Sequence, residues 1–112
     1  MALIFKIVDQ GEWAKARKQG QFTGAAIDIA DGYIHLSGAD QVKETAARYF
    51  AGCNGLVLVA FEANQFGPEL KWEASRGGAL FPHVYAALDP AKALWVKPLF
   101  WNGATHDFPE GV

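Results

Sequence analysis

The stretch Asp31-Gly32-Tyr33-Ile34-His35-Leu36-Ser37 sets a titratable ring between two hydroxyls. In an extended chain alternate residues share a face, so Tyr33, His35 and Ser37 point one way while Ile34 and Leu36 point to the core. Histidine gives up or takes a proton near neutral pH, which suits acid–base work. Ser37 is expected to N-cap a following helix, with Asp40 at the capping-box position. A strand that ends on a helix N-terminus gathers free amides, a setting that favours an anion.

Further stretches add to this chemistry. In Lys71-Trp72-Glu73-Ala74-Ser75-Arg76-Gly77-Gly78, Trp72 offers a ring face for a base or nicotinamide and Glu73 a carboxylate. Arg76 supplies a forked anion clamp, and the glycine pair lets backbone approach a ligand closely. In Phe81-Pro82-His83-Val84-Tyr85-Ala86, His83 and Tyr85 share one strand face. Lys6 sits inside the apolar run Leu3–Val8, where a buried ammonium is costly unless it meets an anion. The plainer readings are a surface ion pair for Glu73 and Arg76, a core ring for Trp72, and a half-buried imidazole for His35. The glycines beside Arg76 and the polar strand residues of an otherwise apolar chain favour a site. His35, Glu73 and His83 are the catalytic candidates. Lys6, Tyr33, Ser37, Trp72, Arg76 and Tyr85 are the ligand-binding candidates, and His35, Trp72, Glu73, Arg76 and His83 are expected to line one cleft.

The elements that must position these groups follow from pattern. Leu3–Val8 reads as a strand, and Asp9 with Glu12 opens a helix that Gly20 closes. Residues 21–31 have no clear period and read as a loop that covers a site. A short strand over Tyr33–Leu36 leads to a helix ending near Gly52. Leu56–Phe61 is the continuous apolar run of a central strand. Further strands end at Trp72-Glu73, span Phe81–Ala86, and span Ala93–Phe100. The tail from Trp101 to Val112 is expected to be irregular.

With 112 residues, 51% hydrophobic and 20% charged, the chain makes one folded domain over residues 1–112. A net charge of -2 argues against general nucleic-acid binding, which needs a basic excess. The lone Cys53 makes no internal disulfide, and no Cys/His spacing suits a metal. No run is long enough for a membrane span, and the N-terminus lacks a signal-peptide pattern, so a cytoplasmic protein is expected. Two or three helices among five or six strands imply an α+β fold with a mixed or mainly antiparallel sheet.

Ile4-Phe5-Lys6-Ile7-Val8, Asp31–Ser37, Lys71–Gly78 and Leu80–Tyr85 together resemble the bacterial family catalogued as domain of unknown function 952, over about residues 3–99. Members of that family look like relatives of the ADP-ribosyltransferase fold, a split, curved mixed sheet that binds NAD. In its RNA 2′-phosphotransferase branch a strand reading Val-His-Leu-Ser feeds a helix, and Tyr33-Ile34-His35-Leu36-Ser37 is similar to it. The resemblance puts His35 at the middle of a three-part signature and Lys6 at the first position. The third position falls at or near His83 or, in another register, on Glu73. It implies a small phosphorylated or nucleotide-like ligand, with NAD or ADP-ribose as candidates. The expectations that follow are a binding module, an NAD-dependent transferase-type enzyme, or a partner-binding protein with an apolar patch at Trp95, Phe100 and Trp101.

Overall fold

The structure is a computed structural model that describes residues 2–112, with the side chain of Arg76 outside the described set. The chain runs β1 (Leu3–Asp9), α1 (Gln10–Gln19), α2 (Ala26–Asp31), β2 (Ile34–His35), β3 (Ser37–Gly38), α3 (Val42–Tyr49), β4 (Leu56–Glu62), β5 (Leu70–Ala74), β6 (Leu80–Val84), β7 (Trp95–Trp101) and β8 (His106–Asp107). Strands β3-β1-β4-β7-β8 form one sheet and β2-β6-β5 a smaller one. The mixed sheet that the resemblance implies is corrected here, and the antiparallel alternative read from the order of elements holds: every pairing among the described strands is antiparallel. Each strand enters its sheet from the end opposite to its neighbour, so the parallel crossovers of a mixed sheet never form.

β1 and β4 pair along their whole length, from Leu3 opposite Glu62 to Asp9 opposite Leu56. Both strands are buried on both faces, which is why their sequences carry almost unbroken apolar runs. Ile4, Val8, Val59 and Phe61 face one core with Trp13 and Ala16 of α1. Phe5, Ile7, Leu58 and Ala60 face a second core with Val42 and Ala46 of α3. Asp9 accepts the amides of Gly11 and Glu12 to start α1, and Gly20 ends it at φ 79°. Lys6 lies on the first of these faces, beside Ile4 and Val8.

The stretch around His35 is not one strand. Ile34 and His35 pair with Val84 and His83 in the small sheet, whereas Ser37 and Gly38 pair with Phe5 and Ile4 in the large one. The step between sheets falls at Leu36, whose amide donates to Pro82 O at 3.0 Å. Ile34 and Leu36 are buried as the alternation required.

Several local expectations need correction. Ser37 does not cap a helix: α3 starts at Val42 after Gln41, with no side-chain cap, so Ser37 and Asp40 form no capping box. The Ser37 hydroxyl instead meets Thr45 Oγ1 at 2.9 Å. Residues 26–31 form the helix α2 rather than a loop. Its polarity is inverted, since Asp28 is buried while Ile27 and Ile29 are exposed, and this hides the usual apolar stripe. The tail is not irregular throughout. β8 pairs with β7, His106 is buried with Nε2 3.0 Å from Cys53 O, and Phe108 packs on the second core. Trp95, Phe100 and Trp101 do not form one patch: Phe100 lies on the opposite face of β7 from both tryptophans, and Trp95 packs on Phe5.

Candidate functional site

Asp28 organises the site. Its side chain is 1% exposed and receives Lys6 Nζ at 3.0 Å on Oδ2. The same ammonium donates to Asp28 Oδ1 at 3.1 Å and to His35 O at 2.9 Å. Asp28 Oδ1 also accepts the His35 amide at 3.0 Å and lies 2.7 Å from His35 Nδ1. Its Oδ2 accepts the Ala25 amide at 2.8 Å, which fixes the start of α2. Gly24 is required before it: a Cβ there would sit 2.8 Å from Asp28 Cβ, and its φ is 122°.

The charges follow from these contacts. Burial by itself would push the Asp28 carboxyl up. The His35 ring, the Lys6 charge and the amides of His35 and Ala25 outweigh it and hold the group at about 2. Burial pushes the Lys6 ammonium down, opposed by the charge and hydrogen bond of Asp28 and, more weakly, by Glu12. The outer ring nitrogen of His35, Nε2, lies 2.9 Å from Asp31 Oδ2. Both ring nitrogens therefore face carboxylates. A doubly protonated ring satisfies both and a neutral ring only one.

A second polar knot sits beside the first. His83 Nδ1 is 2.8 Å from Glu73 Oε1, and the Tyr85 hydroxyl donates to the same oxygen at 2.7 Å. The Tyr85 and His83 hydrogen bonds hold Glu73 below the usual carboxylate range, while the bond to Glu73 pushes the Tyr85 phenol up. The Tyr33 ring joins the two knots, with its centroid 4.6 Å from His35, 4.2 Å from His83 and 5.2 Å from Tyr85. The two imidazoles stand 5.4 Å apart, edge to face.

These groups floor and flank a cleft of about 530 Å³. Ile27 and Asp31 of α2, Tyr49 and Phe50 at the end of α3, Phe81 of β6 and Ser75 just after β5 are among the residues that line it. Of the five residues expected to share one cleft, His35 and His83 line it, and Lys6, Tyr33 and Ser37 stand beside them in the lining. Glu73 and Tyr85 are not among the lining residues and touch it through His83 and Tyr33. Trp72 does not join them. It pairs opposite Pro82, whereas Lys71 pairs opposite His83 and Glu73 opposite Phe81, so Trp72 points from the other face of the small sheet. The Arg76 side chain lies outside the described residues. Its backbone forms the turn Arg76–Gly78, in which Gly77 and Gly78 take φ 63° and 80°.

Sequence reasoning missed Asp28 and Asp31. The available signal was Lys6 itself, because an ammonium in a buried strand demands an anion and these aspartates flank the His35 motif. Among the described residues no cluster of His, Cys, Asp and Glu suits a metal ion, and no helix is long and apolar enough to cross a membrane.

Comparison with known proteins places the chain. A crystal structure of protein CC0527 from Caulobacter crescentus is 47% identical, covers 94% of this chain and 93% of its own, and superposes with a TM-score of 0.90. The solution NMR structure of CC0527 is 48% identical over 93% of this chain and 90% of its own, with a TM-score of 0.84. A search of curated proteins finds no match. The family described as "Protein of unknown function (DUF952)" matches residues 7–96. The chain belongs to the DUF952 family.

Proposed function

We propose that the cleft binds NAD, ADP-ribose or another nucleotide-like ligand, on an ADP-ribosyltransferase-like scaffold, and that the protein serves as a binding module in the cytoplasm. One observation carries this reading: His35 and His83, each tied to a carboxylate through Nδ1, stand on one sheet face with Tyr33 laid across both. Rings fixed in this way are preorganised to hold hydroxyl groups, and the apolar walls suit a flat heterocycle. Ser37 adds a hydroxyl to the same lining. The turn Arg76–Gly78 follows Ser75 of the lining, and its glycine backbone suits phosphate oxygens.

Binding is favoured over catalysis because the three nearby carboxylates are engaged, Asp28 with Lys6 and His35, Asp31 with His35, and Glu73 with His83 and Tyr85. An NAD-dependent transferase is the second reading. It is favoured by the Glu73–His83 pair, which would leave His83 Nε2 as a base while Nδ1 is held. Calorimetric titration with NAD and ADP-ribose tests the proposal. Saturable binding that weakens at least about tenfold in His35→Ala supports it. No heat of binding up to about 1 mM ligand overturns it. Release of nicotinamide above a boiled control, lost in Glu73→Ala, would move the conclusion to the enzyme.

A further inference from the structure

A second cavity, of about 470 Å³, lies between α3 and the β7–β8 hairpin, within the size range of small-molecule sites. Asn102 closes the hairpin by accepting the amides of Ala104 and Thr105 on Oδ1, so His106 comes to lie opposite Trp101. Ala46 and Ala47 of α3 bring small apolar side chains to the lining, Trp101, His106 and Phe108 bring rings, and Lys43 brings an ammonium. None of these residues lines the His35 cleft. Trp101, His106 and Phe108 also lie beyond residues 7–96, over which the family match runs.

The polar groups of this cavity are held in place but left unused. His106 is 7% exposed. Its Nε2 donates to Cys53 O at 3.0 Å; a carbonyl can only accept, so Nε2 carries a proton in either charge state of the ring. Nδ1 has no hydrogen-bond partner among the described residues. It is not sealed away either, since the fully buried side-chain atoms that lack a partner there are Trp13 Nε1 and Glu62 Oε2. Nδ1 therefore keeps open surface on a ring that lines the cavity. Trp101 meets that ring edge to face, with the centroids 5.0 Å apart. Lys43 Nζ stands 5.8 Å from the centre of the Phe108 ring and forms no ion pair among the described residues. The carboxylate of the lining, Asp107, is by contrast engaged by Asn102 Nδ2 at 2.8 Å.

We propose that this cavity is a second binding site, which takes a small aromatic hydroxy acid. The ring of the ligand lies against Trp101 and Phe108, its carboxylate meets Lys43, and its hydroxyl meets His106 Nδ1. Aromatic walls supply the contact area, and the free ammonium selects an anion. A hydroxyl suits Nδ1 in either state of the imidazole, because it both donates and accepts.

The three hydroxybenzoate isomers, benzoate and the three hydroxybenzamides test the proposal, titrated into the intact protein by calorimetry and amide NMR. At least one hydroxybenzoate is expected to bind saturably, with shifts at Trp101, His106 and Phe108. The matching hydroxybenzamide should bind about tenfold or more weakly, and benzoate about threefold or more weakly. Lys43→Gln should erase the preference for acid over amide. Ala47→Leu, at an exposed helical position, should fill the cavity and abolish binding without lowering the melting temperature. His106→Ala would also lose the Cys53 contact, so the Nδ1 nitrogen resonance of His106 is followed instead. It should move with the hydroxybenzoate and stay with benzoate. No saturable binding up to about 1 mM, equal binding of acid and amide, binding that survives Ala47→Leu, or shifts centred on His35 rather than His106 overturns the proposal. Each of these results leaves the nucleotide reading standing, because the two cavities share no lining residue.

Discussion

Asp28 and His35 meet twice. One carboxylate oxygen accepts the His35 amide at 3.0 Å and also lies 2.7 Å from Nδ1 of the ring. The double contact fixes both the backbone and the rotamer of His35, and Lys6 locks the same carboxylate to β1. α2, β1 and β2 are thereby tied at one buried point. A site on loops alone would not hold an imidazole so firmly.

Removing the Asp28 carboxylate strands the Lys6 ammonium in the core. Asp28→Ala is expected to cost about 3–5 kcal/mol, the range for breaking a buried ion pair from one side. Lys6→Met in the same chain should recover part of that loss, because the unpaired charge goes with it. Urea denaturation midpoints of the single and double variants measure both. A cost for Asp28→Ala near that of an exposed substitution would contradict the buried pair.

Acid should reveal the same carboxylate. The folded value of about 2 lies below the ordinary 3.8, so folding favours the ionised form. That contribution is fully present above pH 3.8 and is lost as pH falls through about 2. Its size is about 2 kcal/mol. Stability measured against pH should therefore fall more steeply between these limits in the native sequence than in Asp28→Asn. Parallel curves would show that Asp28 titrates alike in the folded and unfolded chains.

The second knot predicts a shifted phenol. The Glu73 hydrogen bond raises the Tyr85 value most, followed by burial and then by the charges of Glu73 and Tyr33. Glu73→Ala removes both the hydrogen bond and the charge and should bring Tyr85 ionisation back toward lower pH, read from the ultraviolet absorbance of tyrosinate. An unchanged titration would mean that Tyr85 does not hold Glu73 in solution.

Much of the fold was legible from residue pattern. The apolar runs of β1 and β4, the Asp9 and Gly20 ends of α1, and the inward Ile34 and Leu36 all follow from periodicity and capping. The site was half legible. Tyr33, His35 and His83 stood out as polar groups in apolar strands, but their face partners depend on register. Trp72 and Glu73 are sequence neighbours, so the period of the strand sends them to opposite faces, and no local signal says which one joins His83. Asp28 was hidden for a different reason. α2 buries an aspartate and exposes isoleucines, and that inversion makes sense only once Lys6 is known to face it.

The account stands or falls on occupancy of the cleft beneath Tyr33. Crystals soaked with NAD should show density in the cleft lined by Asp31, Tyr33 and Tyr49, within hydrogen-bond distance of His35 or Ser37. Density confined to the molecular surface elsewhere, or none in the cleft at a concentration that saturates binding in solution, would contradict it.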